Sequence, residues 1–402
     1  MKILHLCNKI PYPPFDGGSI AMLRMARSFA QNDHEVTMMA MVTGKHNISP
    51  SEIPGYLQEE IRFIYIDVDT RIRPVKLLLN LIFSTQPYNA LRFIHRNFIH
   101  ALNDLLSTEK FDIVQLEGLY LKPYIPLVRK YHQRILSYRA HNVESEIWQR
   151  IAETTRNKLK SWYLKLLAKR ILRYETEMIK LCDILIPIST NDYNWFQTTG
   201  NTKPAFLTPT GVSDEDFNPP RKLSQPVDLF YIGALDWIPN QEALSWFIEQ
   251  VWKELKRSHS GQQLHIAGRN APGWLVRKFN NAGIVFHGEV ENAFHFIDSH
   301  SVMVIPLFAG SGLRIKIVEA MARSKAIITT SVGIQGIQVT SGKEIIIANT
   351  AGEFIQNIEQ LLQEPGRIEA LQKHAYEFAR QNFNNNILVK NLLYFYTHHI
   401  SC

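Results

Sequence analysis

Short apolar runs recur along the chain, separated by polar or amphipathic segments of helical length. In the first half they fall at residues 3–7, 36–41, 63–68, 113–116, 135–137 and 184–188; in the second, at 229–232, 264–267, 285–287, 302–307, 327–330 and 345–347. This alternation predicts βαβ units, and hence an α/β chain built on doubly wound parallel sheets. The halves share that architecture without a repeat of sequence. Between residues 202 and 228 the pattern lapses into a stretch holding Pro204, Pro209, Pro219, Pro220 and Pro226, poor helix and poor strand alike. The expected domains are therefore 1–204 and 205–385, two Rossmann-like halves facing across a cleft. The amphipathic tail, 386–402, is expected to close back on the first domain as a helix over 386–396.

Length agrees with this division, since 402 residues exceed one ordinary core and imply domains of about 150–200 residues. A hydrophobic content of 45% against 20% charged residues is that of a globular chain. Cys7, Cys182 and Cys402 show neither metal-ligand spacing nor a paired framework, which suits a reducing cytosol. No apolar run reaches the ~20 residues that span a bilayer, and residues 1–7 read as a first strand rather than a signal peptide. A cytoplasmic protein is expected.

The run 302–307 leads into Phe308-Ala309-Gly310-Ser311-Gly312-Leu313-Arg314-Ile315-Lys316-Ile317-Val318-Glu319-Ala320. A strand, a Gly-Ser-Gly turn and a helix opening aim backbone N–H groups and a helix dipole at one point, which suits a diphosphate. Arg314 and Lys316 stand where a purely structural helix would rather place acids. Glu319 follows on the helix, placed to accept hydrogen bonds from a ribose. The stretch reads as a nucleotide-sugar site.

Other strand ends offer weaker candidates. After the first strand, a Pro-rich loop ends in Gly17-Gly18 before a helix over 20–31; it fits a backbone approach to a ligand, or a plain βα turn. Arg139-Ala140-His141-Asn142 follows the fifth run, where His141 suits a sugar hydroxyl or a proton, or else a capping or core role. Glu117 ends the fourth run. Gly233 and Arg269 lie at corresponding edges in the second half, where Arg269 suits a phosphate or base, or a plain surface. No metal is expected, because a helix start carrying Arg314 and Lys316 can hold a diphosphate's charge by itself.

Net charge is +7, and the excess is local: Lys122 to Arg173 holds 13 Lys or Arg against 3 Glu. Over 158–174, Lys158, Lys165, Lys169 and Arg173 share a helical face with Trp162. That face suits an anionic membrane surface, as it also suits an ordinary solvated helix. Arg71-Ile72-Arg73-Pro74-Val75-Lys76 before Leu77-Leu78-Leu79 is a second patch of the kind.

The order of these pieces resembles the family 4 retaining glycosyltransferases (glycosyl transferases group 1), which have the GT-B fold. The likeness rests on the Gly17-Gly18 loop, Arg139–Glu144, Thr208-Pro209-Thr210-Gly211-Val212 and, most specifically, the block from Gly310 to Ala322. It implies a donor site in the second domain for a UDP- or GDP-sugar, formed with Gly17, Gly18, Gly233, Arg269, Gly310, Ser311, Gly312, Leu313 and Glu319. Catalytic roles fall to Arg314, Lys316 and His141, and the acceptor side to Glu117, Arg139 and Asn142. The acceptor would be a glycan or a lipid-linked molecule; nucleic acid is not an expected partner, and no cofactor is expected. Glu319 corresponds to the second Glu of the family's paired-Glu motif, whereas the first is replaced by Ser311. The family's Arg and Lys after the first strand of the second domain are also missing, and Arg314 and Lys316 are expected to supply that charge. A nucleotide-sugar epimerase of similar build, or a GT-B subunit that binds without catalysis, stand as alternatives.

Overall fold

The computed structural model describes residues 1–14, 16–44, 52–132, 134–223, 226–310 and 312–400, the last without its side chain. Ser311 and Cys402 lie outside them. The chain forms two units, residues 1–210 with 385–402 and residues 211–384.

The first unit carries β1 (Lys2–Cys7), β2 (Glu35–Val42), β3 (Arg62–Asp67), β4 (Ile113–Glu117), β5 (Ile135–Ala140) and β6 (Ile184–Pro187). They pair in parallel in the order β3-β2-β1-β4-β5-β6. Its helices include α1 (Gly17–Ala30), α2 (Pro74–Phe83), α3 (Arg96–Thr108), α4 (Glu144–Thr154) and α5 (Lys158–Leu181). Leu4, Leu6, Met39, Val114 and Leu116 pack on one sheet face, and Ile3, Met38, Ala40 and Ile113 on the other. Burial on both faces is why these strands read as continuous apolar runs.

Residues 205–208 stay with the first sheet: the amides of Phe206 and Thr208 donate to the carbonyls of Leu185 and Pro187 at 3.0 Å. The division therefore falls after Thr210 rather than after residue 204. From there Val212 N–H donates to Phe383 O at 2.7 Å, and Asn218 N–H to Ala322 O at 3.0 Å, so the proline-rich stretch is tied into the second unit.

That unit holds β7 (Leu229–Ile232), β8 (Leu264–Ala267), β9 (Val285–Gly288), β10 (Val302–Ile305), β11 (Ala326–Thr329) and β12 (Ile346–Ile347), with α6 (Ile238–Phe247) and α7 (Ile315–Ala322) among its helices. The order is β12-β11-β10-β7-β8-β9, again parallel. In each sheet the order reverses once, between β1 and β4 and between β10 and β7. Ligands of doubly wound sheets bind beyond the strand C-termini at such a reversal.

The last helix, α8 (Asn385–Ile400), returns to the first unit. Val389, Leu392 and Tyr396 are buried with the α1 side of that core. Asn385 Nδ2 donates to the Arg24 carbonyl at 2.7 Å, an anchor at the start of the helix.

Candidate active site

In the second unit the site is built at the β7–β10 reversal. Gly310 and Gly312, with φ of +122° and +80°, turn the chain from β10 into α7. A Cβ on Gly310 would lie 2.5 Å from Arg314 Nη2 and 2.9 Å from Trp237 Cη2. Only glycine leaves room there for the Arg314 guanidinium, whose carbon lies 5.6 Å from the centroid of the Trp237 ring. Arg314 is the N-cap of α7, whose first turn holds no acid and no side-chain cap, so its end is left positive.

Two residues on, Lys316 donates from Nζ to Tyr231 Oη at 2.9 Å and to Asn240 Oδ1 at 3.3 Å, and lies 4.4 Å from the Tyr231 ring centroid. Part of its side chain is exposed, but the ammonium is enclosed. Burial, with the nearby Arg314 charge second, pushes its pKa down to about 7. A Cβ on Gly233 would lie 3.1 Å from that ammonium. One on Gly268 would collide with the Gly233 carbonyl, so the pair of glycines lets the β7 and β8 ends close together. Leu235 N–H donates to Arg269 O at 2.9 Å across the same ends.

Glu319 lies three residues beyond Lys316 on the same side of α7 and is partly exposed. The structure thus brings Gly233, Arg269, Gly310, Gly312, Leu313, Arg314, Lys316 and Glu319 to one sheet edge; the expectation for Ser311 lies outside the described residues. It adds Tyr231, Trp237 and Asn240, which sequence reasoning missed. Tyr231 sits in a buried strand with a hydroxyl that needs a partner, and that was the one signal available.

Gly17 and Gly18 belong to the first unit, in the opening turn of α1. Asp16 caps that turn, accepting Ser19 N–H at 2.8 Å, and takes Lys9 Nζ at 2.6 and 2.7 Å. A Cβ on Gly18 would be 3.2 Å from Lys9 Nζ.

At the β1–β4 reversal Glu117 gathers a buried polar set. Its Oε1 accepts from His5 Nδ1 at 2.9 Å and Gln115 Nε2 at 2.5 Å; its Oε2 accepts from His141 Nε2 at 2.7 Å and faces Arg139 Nη1 at 3.6 Å. Burial alone would raise the Glu117 carboxyl, but the Arg139 charge and the bonds from His141 and His5 outweigh it and hold the group well below the usual carboxylate range. An ionised Glu117 only accepts, so each histidine presents its N–H to it. His141 is left with a bare Nδ1, buried and without a hydrogen-bond partner in the fold. Burial, joined by the Arg139 and Lys9 charges, lowers the His141 pKa despite the opposing pull of Glu117, and so favours the neutral ring.

Glu117 and Arg139 are both 1% exposed. The acceptor-side residues expected from sequence, Glu117 and Arg139, thus lie buried behind His141. Asn142 is partly exposed just beyond it. His5, Gln115 and Tyr396, whose hydroxyl meets Gln115 Oε1 at 2.8 Å and Ser137 Oγ at 2.9 Å, were missed. Polar residues inside apolar strand runs were the signal for the first two.

Among the described residues one group suits a metal ion: one ring nitrogen from each of His265, His287 and His300 lies within 4.8 Å of the others. His300, which pairs with Asp228, precedes β10, and Asp228 precedes β7, so this group is on the side where strands begin, away from the Gly310–Gly312 turn. Lys158, Trp162, Lys165, Lys169 and Arg173 are exposed on α5, and no helix among the described residues is long and apolar enough to cross a membrane.

Comparison with known proteins gives these features a context. Residues 226–364 match the family model of glycosyl transferases group 1. A Klebsiella pneumoniae protein of the cps region, described as an uncharacterized 44.6 kDa protein, is 20% identical over 96% of this chain and 97% of its own. Sucrose-phosphate synthase from Thermosynechococcus elongatus superposes with a TM-score of 0.72 at 15% identity, covering 99% of each chain. WaaG, a glycosyltransferase of lipopolysaccharide biosynthesis, gives 0.66 at 13%, covering 98% of this chain and 99% of its own. HepE of Anabaena, solved with UDP, gives 0.65 at 12%, covering 99% and 100%. The fold is GT-B, as the resemblance implied.

Proposed function

The second unit carries a glycosyl transferases group 1 domain, and from that premise we propose that the protein transfers a sugar from a UDP- or GDP-sugar to a glycan or lipid-linked acceptor, with retention of configuration. The observation that carries this reading is the placement of Arg314 and Lys316 around the Gly310–Gly312 turn at the sheet's reversal point. Breaking the bond between the sugar C1 and the diphosphate oxygen leaves negative charge on the diphosphate. Two preset cations and the bare α7 N-terminus stabilise that charge more than they stabilise the intact donor. A bound diphosphate also keeps Lys316 protonated above its lowered pKa. Glu319 takes the ribose hydroxyls. In the first unit, His141 holds an acceptor hydroxyl at Nδ1, in the orientation set by Glu117.

UDP and UDP-glucose bound to HepE support a nucleotide-sugar donor. The cps-region relative and WaaG support a place in polysaccharide or glycoconjugate assembly. Retention rests on the family resemblance. The test is incubation of the full chain with UDP- and GDP-sugars, with and without glycan and lipid-linked acceptors. Acceptor-dependent release of nucleoside diphosphate, with the donor's anomeric configuration in the product by NMR, is the expected result. Conversion of the nucleotide sugar without acceptor would instead indicate an epimerase, and failure to bind any nucleotide sugar would remove the proposal.

A further inference from the structure

Helix α2, Pro-Val-Lys-Leu-Leu-Leu-Asn-Leu-Ile-Phe, folds against the rule for surface helices. Its one buried residue is the polar one, Asn80. Val75, Leu78, Leu79, Ile82 and Phe83 are all at least half exposed, and Phe83 reaches 80%. A water-facing helix turns its apolar stripe to the core; this one turns five apolar side chains outward and keeps only Leu77 and Leu81, partly buried, beside Asn80. The inversion is held in place rather than loose. Asn80 Nδ2 donates to Gln86 O at 3.1 Å, while Arg170 of α5 donates to the Asn80 and Leu81 carbonyls at 3.3 and 3.0 Å. An apolar face fixed outward marks a surface that another phase or molecule covers.

Beside it lies a cavity of about 520 Å³ whose wall carries Arg71, Arg73, Lys76, Arg92 and Arg96. Its one acid, Asp69, is taken up by Arg71 at 2.9 and 3.0 Å and by Arg73 at 3.2 Å. The first residues of α3, Arg96 and Asn97, also line it, and α3 has no side-chain cap. Five cations against one carboxylate call for an anion of more than one charge, and a phosphate ester fits that chemistry.

We propose that α2 and this basin form a docking surface for an anionic phospholipid bilayer: the apolar stripe enters the acyl boundary, and the basin takes a lipid phosphate. Charge decides the occupant. An apolar protein partner would cover α2 but leave the basin unneutralised, whereas an anionic lipid satisfies both at once. Lys158, Trp162, Lys165, Lys169 and Arg173 on α5, the helix that holds Asn80, extend the positive field. From sequence the membrane contact falls there first, with Arg71 to Leu79 as a second patch; the broader exposed apolar face is on α2. The proposal does not depend on the sugar-transfer reading.

The test is flotation of the full chain with phosphatidylcholine vesicles, with and without phosphatidylglycerol. Binding to the anionic vesicles only, weakening as salt rises, is expected. Leu78→Asp/Ile82→Asp should abolish flotation while leaving the far-UV circular dichroism unchanged, since both side chains are exposed. Arg73→Ala/Lys76→Ala should weaken it by roughly fivefold per cation removed, and Phe83→Trp should show a blue shift with anionic vesicles. Wild-type-like flotation of the Leu78/Ile82 variant overturns the proposal. So does absence of binding at low salt, or a wild-type dimer that this variant splits, which would assign the face to a second copy of the chain.

Discussion

His141 Nε2 lies 2.7 Å from Glu117 Oε2, and that contact links two strand ends into one functional group. The carboxylate takes the ring's N–H and leaves the opposite nitrogen bare, which is the state a proton or hydroxyl acceptor needs. Arg139 and His5 keep the carboxylate charged from behind.

Replacing Glu117 with Gln should therefore act on activity and stability together. Loss of the charge that balances Arg139 should cost about 3–5 kcal/mol in urea unfolding. The gap between variant and wild type should narrow in acid. A carboxyl held low in the folded state stabilises above its unfolded pKa, and that contribution is lost as pH falls toward the folded value. A variant with wild-type stability at pH 7 would show that the ion pair contributes little. His141→Ala, which keeps Glu117 and Arg139 paired, should lower turnover by about 10²-fold or more with a smaller stability loss.

With the Lys316 pKa pushed to about 7, the proposed donor site should bind in a pH-dependent way. Titration calorimetry with UDP or GDP should find binding weakening as pH rises through 7, as the free lysine loses its charge. Lys316→Arg should flatten that limb, since guanidinium stays charged. The folding sign is opposite: the unfolded lysine still binds a proton between pH 7 and its ordinary value of about 10.4, so this residue destabilises the fold as pH falls across that range. A pH-independent affinity in the wild type would remove Lys316 from the diphosphate site.

Arg314→Ala and Lys316→Ala should each cut turnover by about 10²–10³-fold through lost leaving-group stabilisation. Glu319→Ala should raise the donor KM with a smaller effect on kcat. Gly310→Ala should resemble Arg314→Ala in kinetics, because its Cβ would occupy the place of the guanidinium. Should Gly310→Ala keep full kcat/KM, the guanidinium position would not matter.

Chelators should leave turnover unchanged, because the proposed site gives the leaving group to Arg314 and Lys316. A divalent-metal requirement measured after EDTA treatment and add-back would contradict this. Any effect of Zn²⁺ should appear instead as a thermal shift that His287→Ala removes.

Tyr396→Phe removes the hydroxyl that meets Gln115 and Ser137 under the first sheet. A loss of about 1–3 kcal/mol in chemical unfolding is expected, without a change in donor affinity, since Tyr396 belongs to the first unit. A shifted donor Kd would count against separate roles for the two units.

Among the described residues the central strands were legible from the chain alone, because a strand buried on both faces must be apolar throughout; the edge strands β3 and β9, partly exposed, still showed as short apolar runs. The Gly310–Lys316 turn was equally legible, since glycine at positive φ and cations at a helix start are local chemistry. Even there the reading stopped at charge: Arg314 lying over Trp237, and Lys316 held by Tyr231 and Asn240, join residues about 75 to 85 positions apart.

What the tertiary structure alone decided were relationships between distant segments. The strand order puts the reversal points beside Glu117 and Gly233, and no local pattern encodes an order. Glu117 and Arg139, read as acceptor contacts, were buried by the strands on either side of them. Helix α2 makes the point most sharply. Its composition is apolar nearly throughout, and only packing against Arg170 determined that Asn80 turns inward while Leu78, Leu79, Ile82 and Phe83 face out. Periodicity reports which side chains share a face; which face is covered depends on what the rest of the chain brings to it.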